Sequence, residues 1–247
     1  MRKESKNYHN HPPVAGPFRH EEPRSESPKE VKVSVNSRVY FYDQPDRLVV
    51  KQRKETPTAP YGSVREAIED QERLRAVREK FQAMMPSHTP TAVLPPVTEV
   101  IHQADGSQGV QVSWVSPLVE EAQTLSELSL PDFLSLPAAT LQILLDIVKT
   151  DRRLFKEGTF MDVVGSSQDQ PTWYIKWLRW PFAILWSKNI VISQTDHSQL
   201  PIFIDREGRE VSDELTFKRK VRTMAYPYRL LLSELLLKSM LLFKREL

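Results

Sequence analysis

The chain has 247 residues, 40% of them hydrophobic and 27% charged, with 34 Lys+Arg against 32 Asp+Glu for a net charge of +2. That length holds one sizeable domain or two small lobes, and so even a charge balance sets up no global field calling for nucleic acid, so none is expected as a partner. The lack of cysteine excludes disulfides, thiolate zinc sites and a cysteine nucleophile.

Residues 1–30 contain five of the 19 prolines and three histidines, His9, His11 and His20, with almost no apolar pattern. Such a segment buries too little surface to offset the entropy of ordering and reads as a disordered leader. The opening Met1-Arg-Lys-Glu-Ser-Lys6 is not followed by an apolar stretch, so no signal peptide is expected. With no apolar run of about 20 residues, the expected localisation is cytoplasmic, with peripheral membrane contact left open.

From Val31 the pattern alternates. Val31–Val35, Arg38–Tyr42 and Leu48–Val50 read as strands separated by polar turns. A helix is predicted from Ser63 to Met85, with Ser63 as its cap, Glu66 at the capping-box position, and Val64, Ile68, Leu74, Val77 and Phe81 as its apolar stripe. Val97–Ile101 and Gly109–Val115 give two more strands. Residues 31–117 are therefore expected to form a small antiparallel sheet lobe interrupted by one helix.

Residues 118–247 read as a mainly helical lobe, so the expected fold class is α+β. Leu125–Leu128 and Pro131–Leu134 look like helical turns. Ala138–Phe155 is a strong helix with Leu141, Leu144, Leu145 and Val148 on one face and Gly158 closing it. Trp173, Trp177 and Trp180 share a helical face at i, i+4, i+7, interleaved with Lys176 and Arg179. Core packing, an interfacial helix and base stacking are the three readings of that face. Asn189–Ser193 and Leu200–Asp205 form a hairpin. The chain then becomes helical from Ser212, broken or kinked before Pro227. Leu230–Phe243 is dense in leucine and reads as a core or docking helix, with a partner helix or membrane surface as the other reading.

Sheet, helix, sheet, then a helical half with a late Asn/Asp hairpin resembles the protein-kinase-like fold with its two lobes. The segments Val39–Lys51 and Asn189–Gly208 are similar to the second and third strands and the metal-binding hairpin of its atypical branch. That branch comprises the small PhoP-regulated bacterial kinase-like proteins and the aminoglycoside-phosphotransferase relatives. The resemblance implies ATP and Mg²⁺ as cofactors, with Lys51 on the α/β-phosphates. Glu69, 18 positions later, would be the carboxylate partner of Lys51, although Glu66 and Glu72 lie on the same helix. A surface pair of Glu69 with Arg73 is the plainer alternative. Asn189 and Asp205, 16 positions apart, would be the metal ligands. They would face Lys51 across a cleft.

The chain departs from the family in two places. Val35-Asn-Ser-Arg38 stands where a glycine-rich phosphate loop would be, and the position five before Asn189, where a kinase keeps its catalytic base, is Ile184. Phe160-Met-Asp162-Val-Val-Gly165 is similar to the catalytic loop of some atypical members, making Asp162 the candidate base. The implied function is a kinase-like phosphotransferase acting on an unidentified acceptor, or a pseudokinase if the base is lost. The alternative is a non-catalytic interaction or membrane-surface docking protein built on its Trp-rich and Leu-rich helices.

Overall fold

Alternating apolar and polar residues in the first part of the chain become a five-stranded antiparallel sheet within a mixed α+β architecture. The structure is a computed structural model that describes residues 28–33, 37–42, 48–53, 61–89, 98–103, 109–119, 122–164, 180–193, 199–204, 209–211 and 217–246. Two compact units divide the chain, Met1–Glu69 with Pro96–Leu118 and Asp70–Pro95 with Val119–Leu247.

In the first unit the strands are β1 (Glu30–Val33), β2 (Ser37–Tyr42), β3 (Leu48–Arg53), β4 (Thr98–Gln103) and β5 (Val110–Pro117), in the order β1-β2-β3-β5-β4. One face of the sheet packs Ile101, Val110, Val112 and Trp114 against Ala67, Ile68 and Tyr61. Helix α1 (Val64–Met84) supplies Ala67 and Ile68 from its first turns. Ser63 caps it, accepting from the Glu66 N–H at 3.2 Å. The Glu66 carboxylate reaches back one residue further than a capping box requires, accepting from the Gly62 N–H at 2.9 Å. Of the predicted stripe, Val77 and Phe81 are buried and Ile68 and Leu74 partly so, joined by Ala67 and Gln71, whereas Val64 is exposed. Val64 sits in the first turn, before the helix has come under cover.

In the second unit the later turns of α1 bury Val77 and Phe81 in one large core with α3 (Ala138–Lys156). Leu141, Leu144, Leu145 and Val148 are all buried, as their spacing predicts. Gly158, at φ +83°, ends the helix in the left-handed region that a side chain enters only with strain. Before α3, the short helix α2 (Leu130–Ser135) is capped by Ser129, whose hydroxyl accepts from the Asp132 N–H at 3.3 Å. Phe81 stacks on Phe203 with ring centroids 5.8 Å apart.

Three features of this unit differ from the sequence expectation. The segment after Pro117 is not purely helical: β6 (Ala122–Thr124) pairs with β8 (Ile190–Ser193), which pairs in turn with β9 (Pro201–Phe203). The predicted hairpin is thus two strands of a three-stranded sheet. A further pair joins β7 (Thr159–Phe160) to β10 (Arg209–Glu210). The last helix, α4 (Phe217–Glu246), is not broken at Pro227. The proline removes one backbone donor, but buried Tyr226 and Leu230 anchor the helix on both sides of it. Trp173 and Trp177 lie outside the described residues, and Trp180–Trp186 forms a 3-10 segment.

Candidate functional site

The connection leaving α3 turns sharply after β7. Met161, Val163 and Val164 are fully buried, while Asp162 between them is half-buried and takes φ +58°. Aspartate is among the few residues with a side chain that tolerate this left-handed conformation, at a cost of roughly 1–3 kcal/mol. Two sets of hydrogen bonds hold the segment there.

The first comes from beneath. Asp151, fully buried in the penultimate turn of α3, accepts from the Met161 N–H at 2.6 Å and from the Val163 N–H, the amides on either side of Asp162. The Tyr226 hydroxyl of α4 donates to the other Asp151 oxygen. Its ring is caged by Phe160 at 4.8 Å and Phe155 at 5.7 Å, themselves 5.7 Å apart.

Burial pushes the Asp151 carboxyl up to about 7, against the lowering effect of its three hydrogen bonds, and the nearby Asp162 charge adds to the rise. Burial, reinforced by the charges of Asp151 and Asp162, also pushes the Tyr226 phenol well above its ordinary value, so Tyr226 remains a donor.

The second comes from the sheet. The Asn189 side-chain amide donates to the Asp162 carbonyl at 2.9 Å, joining two residues 27 positions apart. The acceptor is a carbonyl, so the bond must come from Nδ2. Oδ1 is then the end of the amide that suits a hard cation. Asn189 is positioned by the start of β8, its own N–H donating to Ser187 Oγ at 3.3 Å. Its carbonyl accepts from the Ile204 N–H at 2.7 Å. Ile204 is the residue immediately before Asp205, and Asp205 itself lies outside the described residues. Ile184, five positions before Asn189, is fully buried.

In the first unit, Lys51 is half-buried on β3. The register Val39–Lys51–Trp114–Glu99 runs across four strands, and residues directly opposite one another share a face. Lys51 therefore lies on the same face as Trp114, the face that α1 covers. The Glu69 carboxylate meets Arg65 at 2.8 Å on an exposed surface of the helix, and Arg73 pairs with Asp70. Glu99, which the sequence reading passed over, is a buried carboxylate on the Lys51 face, with only 1% of its surface exposed. Its position in the alternation Thr98-Glu-Val-Ile101 was its only sequence signal.

Among the described residues, no group of three or more His, Asp or Glu is arranged to hold a metal ion. No family model and no curated protein matches the chain.

Proposed function

We propose that the protein binds Mg·ATP in a kinase-like manner, with transfer of the γ-phosphoryl group as the associated chemistry. The observation that carries this reading is the 2.9 Å bond from the Asn189 side chain to the Asp162 carbonyl. It brings together the residue proposed as a metal ligand and the residue proposed as the base, although they are far apart in sequence. A ligand and a base must converge on one substrate, and a backbone fixed on both sides of Asp162 costs no reorganisation when that substrate arrives.

In this reading Asn189 and Asp205 hold the magnesium through hard oxygen atoms, and the ion when bound neutralises phosphate charge. Asp162 accepts the proton of the acceptor hydroxyl, and Lys51 offers its ammonium to the α/β-phosphates. Asp151 and Tyr226 position the segment rather than touch substrate.

The test is thermal denaturation with and without millimolar Mg·ATP. A ligand that binds only the native state stabilises it by about 2.7 kcal/mol at 100 times its Kd. A shift that requires magnesium and disappears in Asp205→Ala is the expected result. A folded protein that shows no shift rules the reading out. A shift without phosphoryl transfer assigns the protein as a pseudokinase.

A further inference from the structure

Six of the large apolar side chains exposed among the described residues belong to one helix: Met224, Tyr228, Leu231, Leu235, Leu242 and Phe243 of α4. At about 100° per residue, all but Phe243 fall on one narrow line. Buried Tyr226, Leu230, Leu237 and Leu241 occupy the opposite side. The helix therefore has two apolar faces, one in the core and one facing out. A single exposed leucine needs no explanation, but five large apolar side chains on one line do, with Lys238 and Ser239 the polar residues between Leu235 and Leu242. From Met224 to Leu242 it is roughly 27 Å long, at about 1.5 Å per residue.

Charge narrows the choice of partner. The sequence of α4 contains eight Lys+Arg and two Asp+Glu, 8 − 2 = +6. Lys218, Arg219, Lys220 and Arg222 lie in its first turns, with Lys244 and Arg245 in its last. Glu234 is already bonded to Arg152 and Lys238, both at 2.6 Å.

A second copy would set one +6 helix against another, with basic ends opposed in either orientation. A helical partner is normally chosen by charges flanking the apolar seam. Here the flanks include Leu232, Ser239 and Lys238, and Lys238 is already bonded to Glu234 of its own helix. A straight apolar stripe between basic ends fits a lipid surface instead. The stripe enters the headgroup–acyl boundary, and the net positive charge of the helix favours anionic headgroups. No helix among the described residues is long and apolar enough to cross a membrane, so the contact is made along the surface.

We propose that α4 docks the protein onto an anionic bilayer surface through the stripe Met224, Tyr228, Leu231, Leu235 and Leu242. The proposal is independent of the nucleotide reading.

The experiment is flotation of the full chain with phosphatidylcholine vesicles, with and without phosphatidylserine, at low and high salt. Binding is expected to the phosphatidylserine vesicles, weakened about tenfold or more by high salt. The double variant Leu235→Glu/Leu242→Glu should lose it while melting as the wild type does, because both side chains are exposed. Analytical ultracentrifugation of both proteins in the absence of lipid accompanies the assay, with a monomer expected. The proposal is overturned if folded wild type ignores anionic vesicles, if it binds neutral and anionic vesicles equally, or if the double variant binds undiminished. A wild-type dimer that the double variant dissociates overturns it too, because a second copy then covers the stripe.

Discussion

The Tyr226 hydroxyl donates to the Asp151 carboxylate across 75 positions of sequence, and that carboxylate accepts the amides on both sides of Asp162. Tyr226→Phe keeps the ring between Phe155 and Phe160 but leaves a buried carboxyl oxygen without its donor. The expected cost is about 1–3 kcal/mol of stability. Urea denaturation at neutral pH measures it, and an unchanged midpoint would show that the bond contributes nothing.

The Asp151 carboxyl also predicts a pH dependence. Its folded value, about 7, lies above its ordinary 3.8. Between those values the native state holds a proton that the unfolded chain has released. The stabilisation from this group is therefore complete below pH 4 and is lost as pH rises through 7. The groups facing it are the Tyr226 hydroxyl, the Met161 and Val163 amides and the Asp162 charge. Asp151→Asn retains a carbonyl for the Met161 N–H and removes the titration. Its stability, followed by urea unfolding across pH 4 to 8, should lack the downward slope that wild type shows on subtraction. Parallel curves for the two proteins would sink this assignment.

Asn189 permits a two-variant test. Asn189→Ala releases the Asp162 carbonyl and removes the oxygen proposed for magnesium. It should cost about 1 kcal/mol of stability and abolish any Mg·ATP shift. Asn189→Asp cannot donate to the carbonyl but still offers oxygen to a cation. It should lose the same stability and keep part of the Mg·ATP shift. If both variants retain the full shift, Asn189 is not a metal ligand and its role is confined to tethering Asp162.

Periodicity made α3 legible, because Leu141, Leu144, Leu145 and Val148 repeat on one face over several turns. The pairing of β8 with β9 was legible for a similar reason, as two apolar runs separated in the sequence by polar residues. Strand β6 was not: Ala122-Gln-Thr124 is too short to show alternation, and it becomes a strand only by pairing with β8. The continuity of α4 through Pro227 was hidden because a local rule about proline was outweighed by burial of the residues around it. The resemblance named Asn189 and Asp162 one by one, and the hydrogen bond that joins them belongs to the fold. Asp151 and Tyr226 were not named, since a lone Asp in an amphipathic helix normally reads as solvated. Only the fold brings a tyrosine from the last helix beneath it.

Lys51 supplies the last test, in the unit that lacks Asn189 and Asp162. It is half-buried on β3 opposite Trp114, in a row that ends at buried Glu99. Glu69, by contrast, is bonded to Arg65 on the exposed side of α1. If Lys51 meets phosphate, the charge is what matters, because an ammonium neutralises phosphate oxygen as a point charge. Lys51→Met keeps most of the aliphatic stem that lies beside Trp114 and removes the charge. The fold should survive, with a midpoint within about 1 kcal/mol of wild type, while the Mg·ATP shift falls by about tenfold in apparent affinity or disappears. Glu69→Gln, which loses only an exposed pair of little energetic value, should leave the shift intact unless Glu69 leaves Arg65 for Lys51 when nucleotide binds. Titrating Mg·ATP against the melting temperature of both variants separates these cases. A Lys51→Met protein that responds to Mg·ATP as wild type does removes Lys51 from the site, and the nucleotide assignment of the sheet unit goes with it.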